Sequence, residues 1–360
     1  MIDTQHLSDW GWTADRDDEF HHQATADQAP ARVFAQHRGE YRLIVPWGEA
    51  TGVAPGRMLY EATGQRELPA VGDWVVIEPV LDGPATVVRI LSRRTCFVRR
   101  QAGHESGEQV IAANIDVAFI VSSMDQELNP RRIERYLVAV RESGAAPVVV
   151  LTKSDLCDDV DAVVESIRES VSGAPIEVVS SVSGDGFEGL RERLEPRRTV
   201  VVVGSSGVGK STLINVLAGF DLLPTQDVRS ADGKGRHTTT HREIFRLPDG
   251  VLLLDTPGVR EFGLLEASEG LEETFEDVGE LADNCRFRDC THITEPGCAV
   301  REAIEAGTVS AERWASYERL QKESAHEVRR RDAGAAQAEK KKWKQIHKDY
   351  RKRPKKGSAG

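Results

Sequence analysis

Residues 200–212 read VVVVGSSGVGKST, an apolar run that breaks into a glycine-rich loop and continues as TLINVLAG, an amphipathic segment closed by Gly219. Gly204, Gly209, Lys210 and Ser211 satisfy the spacing G-x-x-x-x-G-K-[ST] of a phosphate-cradling loop. Glycine lets successive backbone N–H groups curl around phosphate oxygens at a helix N-terminus. The nucleotide candidates here are Gly204, Ser205, Ser206, Gly207, Val208, Gly209, Lys210, Ser211 and Thr212. Lys210 is expected on the β- and γ-phosphates and Ser211 on Mg2+. Downstream, VLLLDTPG (251–258) puts Asp255 at the end of an apolar strand, the place of a second Mg2+ ligand, and Gly258 where its N–H can meet a γ-phosphate. Between them GKGRHTTTH (233–241) has the composition of a segment that orders around γ-phosphate and Mg2+, with Thr239 or Thr240, of which Thr240 is preferred, as the metal hydroxyl.

A base-reading loop stands upstream of this loop, not downstream. APVVVLTKSDL (146–156) ends an apolar strand in Thr152, Lys153, Ser154 and Asp155. A carboxylate at Asp155 accepts from the N1–H and 2-amino group of guanine, and adenine offers neither donor. Lys153 would lay its stem across the base. Thr152 stands where this motif usually has Asn. A second strand, PIEVVSS (175–181), ends in Ser180 and Ser181, suited to the base edge. The order is therefore base reader, base edge, phosphate loop, first switch, second switch, a circular permutation of the usual GTPase order. The link EPRRT (195–199) would join the former termini. Val259 occupies the position after D-x-x-G where many GTPases carry a water-orienting Gln. His237 is the candidate to take that role, or else it meets a partner. Intrinsic turnover should be slow.

Fully apolar strands alternating with helical segments imply a parallel sheet covered on both faces. Before it, residues 32–101 run as short alternating strands broken by Gly and Pro, consistent with a small closed β-barrel, an OB-fold or another antiparallel barrel. Arg89, Arg93, Arg94, Arg99 and Arg100 at its end read equally as a nucleic-acid face or a solvated strand edge. The expected plan is a mobile acidic arm (1–31), a barrel (32–101), a permuted GTPase domain (102–269), a helical module (270–335) and a basic tail (336–360).

Of five cysteines, three crowd into CRFRDCTHITEPGC (285–298). Cys285, Cys290, His292 and Cys298 form a C-x4-C-x-H-x5-C set suited to one structural Zn2+ with no open position; three unrelated cytosolic thiols are the alternative. Cys96 and Cys157 read as small apolar fillers. The acidic start is no signal peptide, and no apolar run has the ~18 residues that span a bilayer. A cytoplasmic protein without membrane contact is expected. Net charge is −11, but residues 340–356 hold ten Lys or Arg and one acid, leaving 37 basic against 57 acidic residues elsewhere, a net of −20. An acidic body with a cationic tail suggests a tail that meets a polyanion.

Together AANID, TKSDL, GSSGVGKSTLIN, RHTTTHRE, DTPGVREFG and the cysteine cluster resemble the ribosome small-subunit-dependent GTPases of the RsgA type. The resemblance implies an N-terminal OB-fold, a circularly permuted P-loop GTPase α/β core and a C-terminal helical zinc-binding domain. It also implies late 30S maturation or checkpointing, with hydrolysis of GTP to GDP stimulated by the subunit. The tail, with Trp343 and Tyr350, would contact 16S rRNA. A monomer is expected. The competing readings are a permuted GTPase acting on another RNA or particle, a module holding nucleotide only as a structural ligand, and a P-loop kinase or ATPase for which Asp155 has no base to read.

Overall fold

The computed structural model describes residues 4–37, 39–62, 64–100, 108–125, 128–223, 242–255, 268–326 and 328–329. No helix among them is long and apolar enough to cross a membrane.

Two helices open the chain, α1 (Gln5–Ser8) and α2 (Ala14–Gln23). Five strands follow: β1 (Ala29–His37), β2 (Glu40–Val45), β3 (Gly48–Val53), β4 (Trp74–Glu78) and β5 (Ala85–Ile90), with α3 (Gly56–Glu61) between β3 and β4. Their order is β1-β2-β3-β5-β4, and β4 pairs back with β1, which closes the barrel. Every neighbouring pair is antiparallel except β3 and β5. This is the five-stranded OB arrangement. Alternate residues Ala31, Val33, Leu43, Val75, Ile77 and Val87 fill the interior. The hairpin β6 (Cys96–Arg100) and β7 (Glu108–Ala113) forms a separate two-stranded sheet.

The second half is a six-stranded sheet flanked by helices. Its strands are β8 (Val117–Ser123), β9 (Ala146–Thr152), β10 (Ile176–Val178), β11 (Thr199–Gly204), β12 (Glu243–Arg246) and β13 (Leu252–Asp255). The order is β10-β9-β8-β11-β13-β12, all parallel except β12. Strand alternation divides the core. Ile120, Val149, Leu151, Val201 and Val203 pack under α4 (Pro130–Glu142) and α5 (Val160–Val171). Phe119, Val148, Val150, Val200 and Val202 face α6 (Phe187–Glu192) and α7 (Lys210–Ala218). A single antiparallel pairing, Ala35 with Glu243, joins barrel and sheet. The C-terminal module holds α8 (Ser268–Thr274), α9 (Glu276–Asp283), α10 (Ala299–Glu305) and α11 (311–326).

The opening segment departs from the mobile arm expected over residues 1–31. Residues 4–31 are folded, and Leu7, Trp12 and Phe20 are buried in one core with Phe34 and Trp74. Trp12 packs edge-on against Trp74 with centroids 4.8 Å apart. Acidic residues on the outer face of α2 conceal these anchors from a composition-based reading. Arg93 fits neither a nucleic-acid face nor a bare edge, whereas Arg94 is exposed. Arg93 forks onto buried Asp73 through Nε and Nη2 at 2.8 and 2.7 Å, and Arg94 Nη2 lies 3.1 Å from Asp15 Oδ2. Arg89 is exposed.

If the segment is structural, Trp12→Ala should destabilise the fold by about 3 kcal/mol, as large-to-small core substitutions do. Denaturant unfolding followed by circular dichroism checks this, and a mobile arm would give no change.

Candidate functional site

The C-terminal ends of the parallel strands bring the candidate residues to one edge of the sheet, where open α/β sheets bind ligands. β8 delivers Ser123 and Asp125, β9 delivers Thr152 to Asp155, the turn after β10 delivers Ser180 and Ser181, and β11 delivers the Gly204–Lys210 loop. Asp255 ends β13, paired with Glu243.

Gly204 has φ 148°, and a Cβ there would lie 2.3 Å from the Val121 carbonyl oxygen, so the loop can leave β11 only at a glycine. The chain then passes Gly209 into α7, whose first residue is Lys210. Lys210 Nζ folds back to donate to the Ser205 carbonyl. Ser205 Oγ accepts from Arg132 Nη1 at 2.9 Å.

Thr152 is 2 % exposed. Its hydroxyl donates to the Val208 carbonyl at 2.7 Å, which ties the base-reading loop to the phosphate loop. One donor is enough for this tie, so a Thr can stand where the motif usually has Asn. Lys153 adopts a left-handed backbone, φ 59°, and its Nζ lies 2.8 Å from Asp125 Oδ2. Asp125 Oδ1 in turn accepts from Ser123 Oγ at 2.8 Å. The Ser180 hydroxyl accepts from the N–H groups of Val182 and Ser183, both at 3.2 Å. Its own proton is thereby directed to Asp155 Oδ1, at 2.5 Å. Asp155 is exposed. Ser180 thus positions Asp155 from beneath.

His237, Thr240, Gly258 and Val259 lie outside the described residues, as does the basic tail.

Thirty residues beyond the sheet the thiols converge. Ligand atoms of Cys285, Cys290, His292 and Cys298 lie within 4.8 Å of one another. Tetrahedral Zn2+ with Zn–S of about 2.3 Å and Zn–N of about 2.0 Å requires S···S of about 3.8 Å and S···N of about 3.5 Å. Cys285 Sγ and Cys298 Sγ are 3.9 Å apart, and each is 3.5 Å from His292 Nδ1. The donor set fits a structural zinc. Glu295 holds the connecting turn by accepting from Thr291 Oγ1 and from the N–H groups of Thr291, Ile293 and Thr294. The Thr291 hydroxyl, then the backbone amides, pull its carboxyl down to about 2.

Helix α4 connects the two regions. Glu134 is buried, and its Oε2 accepts from Ser316 Oγ of α11 at 2.5 Å. Arg313 Nη1 lies 3.5 Å from Glu134 Oε1, while its Nε and Nη2 fork onto Asp277 of α9. Burial raises the Glu134 pKa, and Ser316 and Arg313 oppose that rise. Asp125, Arg132 and Glu134 were not read from sequence as site residues. Asp125 could have been, since it follows directly on the end of β8.

Strand order and the sequence of loops define the class, a P-loop GTPase core in circularly permuted form between an OB-type barrel and a cysteine–histidine module. The family model described as RsgA GTPase matches residues 90–265. A small ribosomal subunit biogenesis GTPase RsgA from Opitutus terrae is 45% identical over 357 residues, covering 96% of this chain and 97% of that protein. One from Methanosarcina acetivorans is 44% identical, covering 89% and 87%. Among solved structures, YjeQ from Thermotoga maritima aligns with a TM-score of 0.60 at 25% identity, covering 83% of this chain and 99% of that one. YloQ, described as a circularly permuted GTPase, also gives 0.60 at 25%, covering 85% and 98%. The chain belongs to the RsgA GTPase family.

Thr152→Val should weaken GDP binding by about fivefold, the worth of one hydrogen bond near 1 kcal/mol. Equilibrium titration of GDP checks this; undiminished affinity would mean that the tie to Val208 does not hold the site.

Proposed function

We propose that this GTPase binds the small ribosomal subunit and hydrolyses GTP there during late maturation or checkpointing, turning over slowly alone and faster on the subunit. The observation that carries the reading is a base-reading loop bonded through Thr152 to a phosphate loop, in a chain 45% identical along nearly its whole length to a protein named for small-subunit biogenesis.

In this reading the N–H groups of Gly204 to Thr212 cradle the phosphates, and Lys210 leaves the Ser205 carbonyl for the β- and γ-phosphate oxygens. Asp155, held by Ser180, takes the guanine N1–H and 2-amino protons. Lys153, set by Asp125, covers the base, and Ser181 lies at the base edge. Ser211 and Asp255 would hold Mg2+, which neutralises charge on the β- and γ-phosphates when bound. Thr240 completes the metal set, Gly258 meets the γ-phosphate, and His237 orients the attacking water. Cys285, Cys290, His292 and Cys298 hold one structural Zn2+. The basic segment 336–360 contacts 16S rRNA, and the protein works as a cytoplasmic monomer.

The test is the GTP hydrolysis rate with and without purified small subunits. Stimulation of at least tenfold by small but not large subunits is expected; equal rates in both would refute the assignment.

Metal analysis should find one zinc per chain. Stripping it with a chelator should lower the thermal stability of the C-terminal module and abolish subunit stimulation, while basal GTP hydrolysis persists. Retained stimulation in metal-free protein would overturn the zinc reading.

A further inference from the structure

We propose that Arg132 is a catalytic arginine supplied in cis, leaving the Ser205 hydroxyl for the γ-phosphate and the βγ-bridging oxygen when GTP is bound. Two cations converge on one residue of the phosphate loop. Lys210 Nζ donates to the Ser205 carbonyl, and Arg132 Nη1 donates to Ser205 Oγ at 2.9 Å. A lysine of this loop reaches the β- and γ-phosphates, so the residue it touches marks that end of the nucleotide site. The Arg132 guanidinium therefore stands over the end where bonds change.

The backbone of Arg132 is fixed while its side chain is exposed. Asn129 caps α4 by accepting from the Arg132 N–H at 3.2 Å, and Ile133 and Glu134, next in the helix, are buried. The helix is held to the C-terminal module through Glu134 and Arg313. The guanidinium is thus presented from a rigid element and needs only a side-chain rotation. A bond to a neutral hydroxyl is readily exchanged for stronger charge-assisted bonds to phosphate oxygens.

In the reaction the water oxygen forms a bond to the γ-phosphorus as the bond from that phosphorus to the βγ-bridging oxygen breaks. The electron pair goes to the β-phosphate of GDP, and the water's protons end on inorganic phosphate and solvent. Arg132 opposes the negative charge that grows on the bridging and γ-oxygens. Val259 has no group to do so.

The proposal rests on the phosphate-loop reading, and GDP affinity separates the two. Single-turnover GTP hydrolysis, with and without small subunits, and GDP titration are measured for the unmodified protein, Arg132→Ala, Arg132→Lys and Arg131→Ala. Arg132→Ala should slow hydrolysis by about ten- to a hundredfold or more in both conditions, with GDP affinity kept within about twofold. Arg132→Lys should recover little, because an ammonium cannot bridge two oxygens as a guanidinium does. Arg131→Ala, one residue away and equally exposed, should hydrolyse normally. Undiminished hydrolysis by Arg132→Ala, full rescue by Arg132→Lys, or a loss of GDP affinity as large as the loss of rate would each overturn the proposal. Failure of the unmodified protein to bind GDP would sink the phosphate-loop reading itself.

Discussion

Strand β11 is hydrogen-bonded on both edges, Val200 to Gly204 against Val117 to Val121 of β8 and Thr199 to Val201 against Leu252 to Leu254 of β13. Every functional loop takes its position from that pairing. Parallel partners put all the strand ends on one side, so the phosphate loop lies between the base-reading residues of β9 and the Asp255 end of β13. The same geometry makes permutation physically inexpensive. The link at 195–199 leads into the N-terminal end of β11, where Arg197 N–H donates to the Gly250 carbonyl at 2.8 Å, and it disturbs none of the C-terminal strand ends.

Helix α4 is a wall shared by two modules. Ile133, Leu137 and Val140 form one stripe at helical spacing and enter the sheet core. Glu134, Val138 and Arg141 form the adjacent stripe and meet the C-terminal module. At Gly270 a Cβ would lie 2.3 Å from the Val138 carbonyl, so α8 crosses α4 at backbone contact. Among apolar packing sits the Glu134–Arg313–Asp277 set. A buried pair such as Glu134–Arg313 adds little net stability against a hydrophobic replacement, but loss of Arg313 would cost about 3–5 kcal/mol because Glu134 stays buried without its cation. Its value is register. It holds α4, which carries Arg132, at one angle to the cysteine–histidine module.

The N-terminal segment works similarly on the barrel. Arg32 is wholly buried, donates to the Trp10 carbonyl and reaches Thr199 Oγ1 at 2.7 Å, so one side chain spans the opening segment, barrel and β11. Burial pulls its pKa down to about 10, with the Asp116 carboxylate opposing that fall. Arg16 reaches Asn114 Oδ1 at 2.8 Å and the Ser92 carbonyl. These contacts turn an acidic leader into part of the core.

Local chemistry was legible from the sequence because it repeats over short distances. The loop from Gly204 to Ser211 needed only its spacing, the apolar strands their runs, the cysteine–histidine cluster four residues within fourteen, and the permutation the order of two loops. What the sequence left open lies in contacts between residues far apart in the chain. That Thr152 also bonds the Val208 carbonyl, fifty-six residues on, is visible only in the folded chain. Arg93 reads as surface charge until Asp73 takes it. Arg132 reads as one more basic helix residue until Ser205, seventy-three residues away, lies under its guanidinium. A sequence determines which groups a chain possesses and which local geometries its backbone prefers. Which charge neutralises which, and which hydroxyl holds which loop, is decided only when packing fixes distances and excludes water.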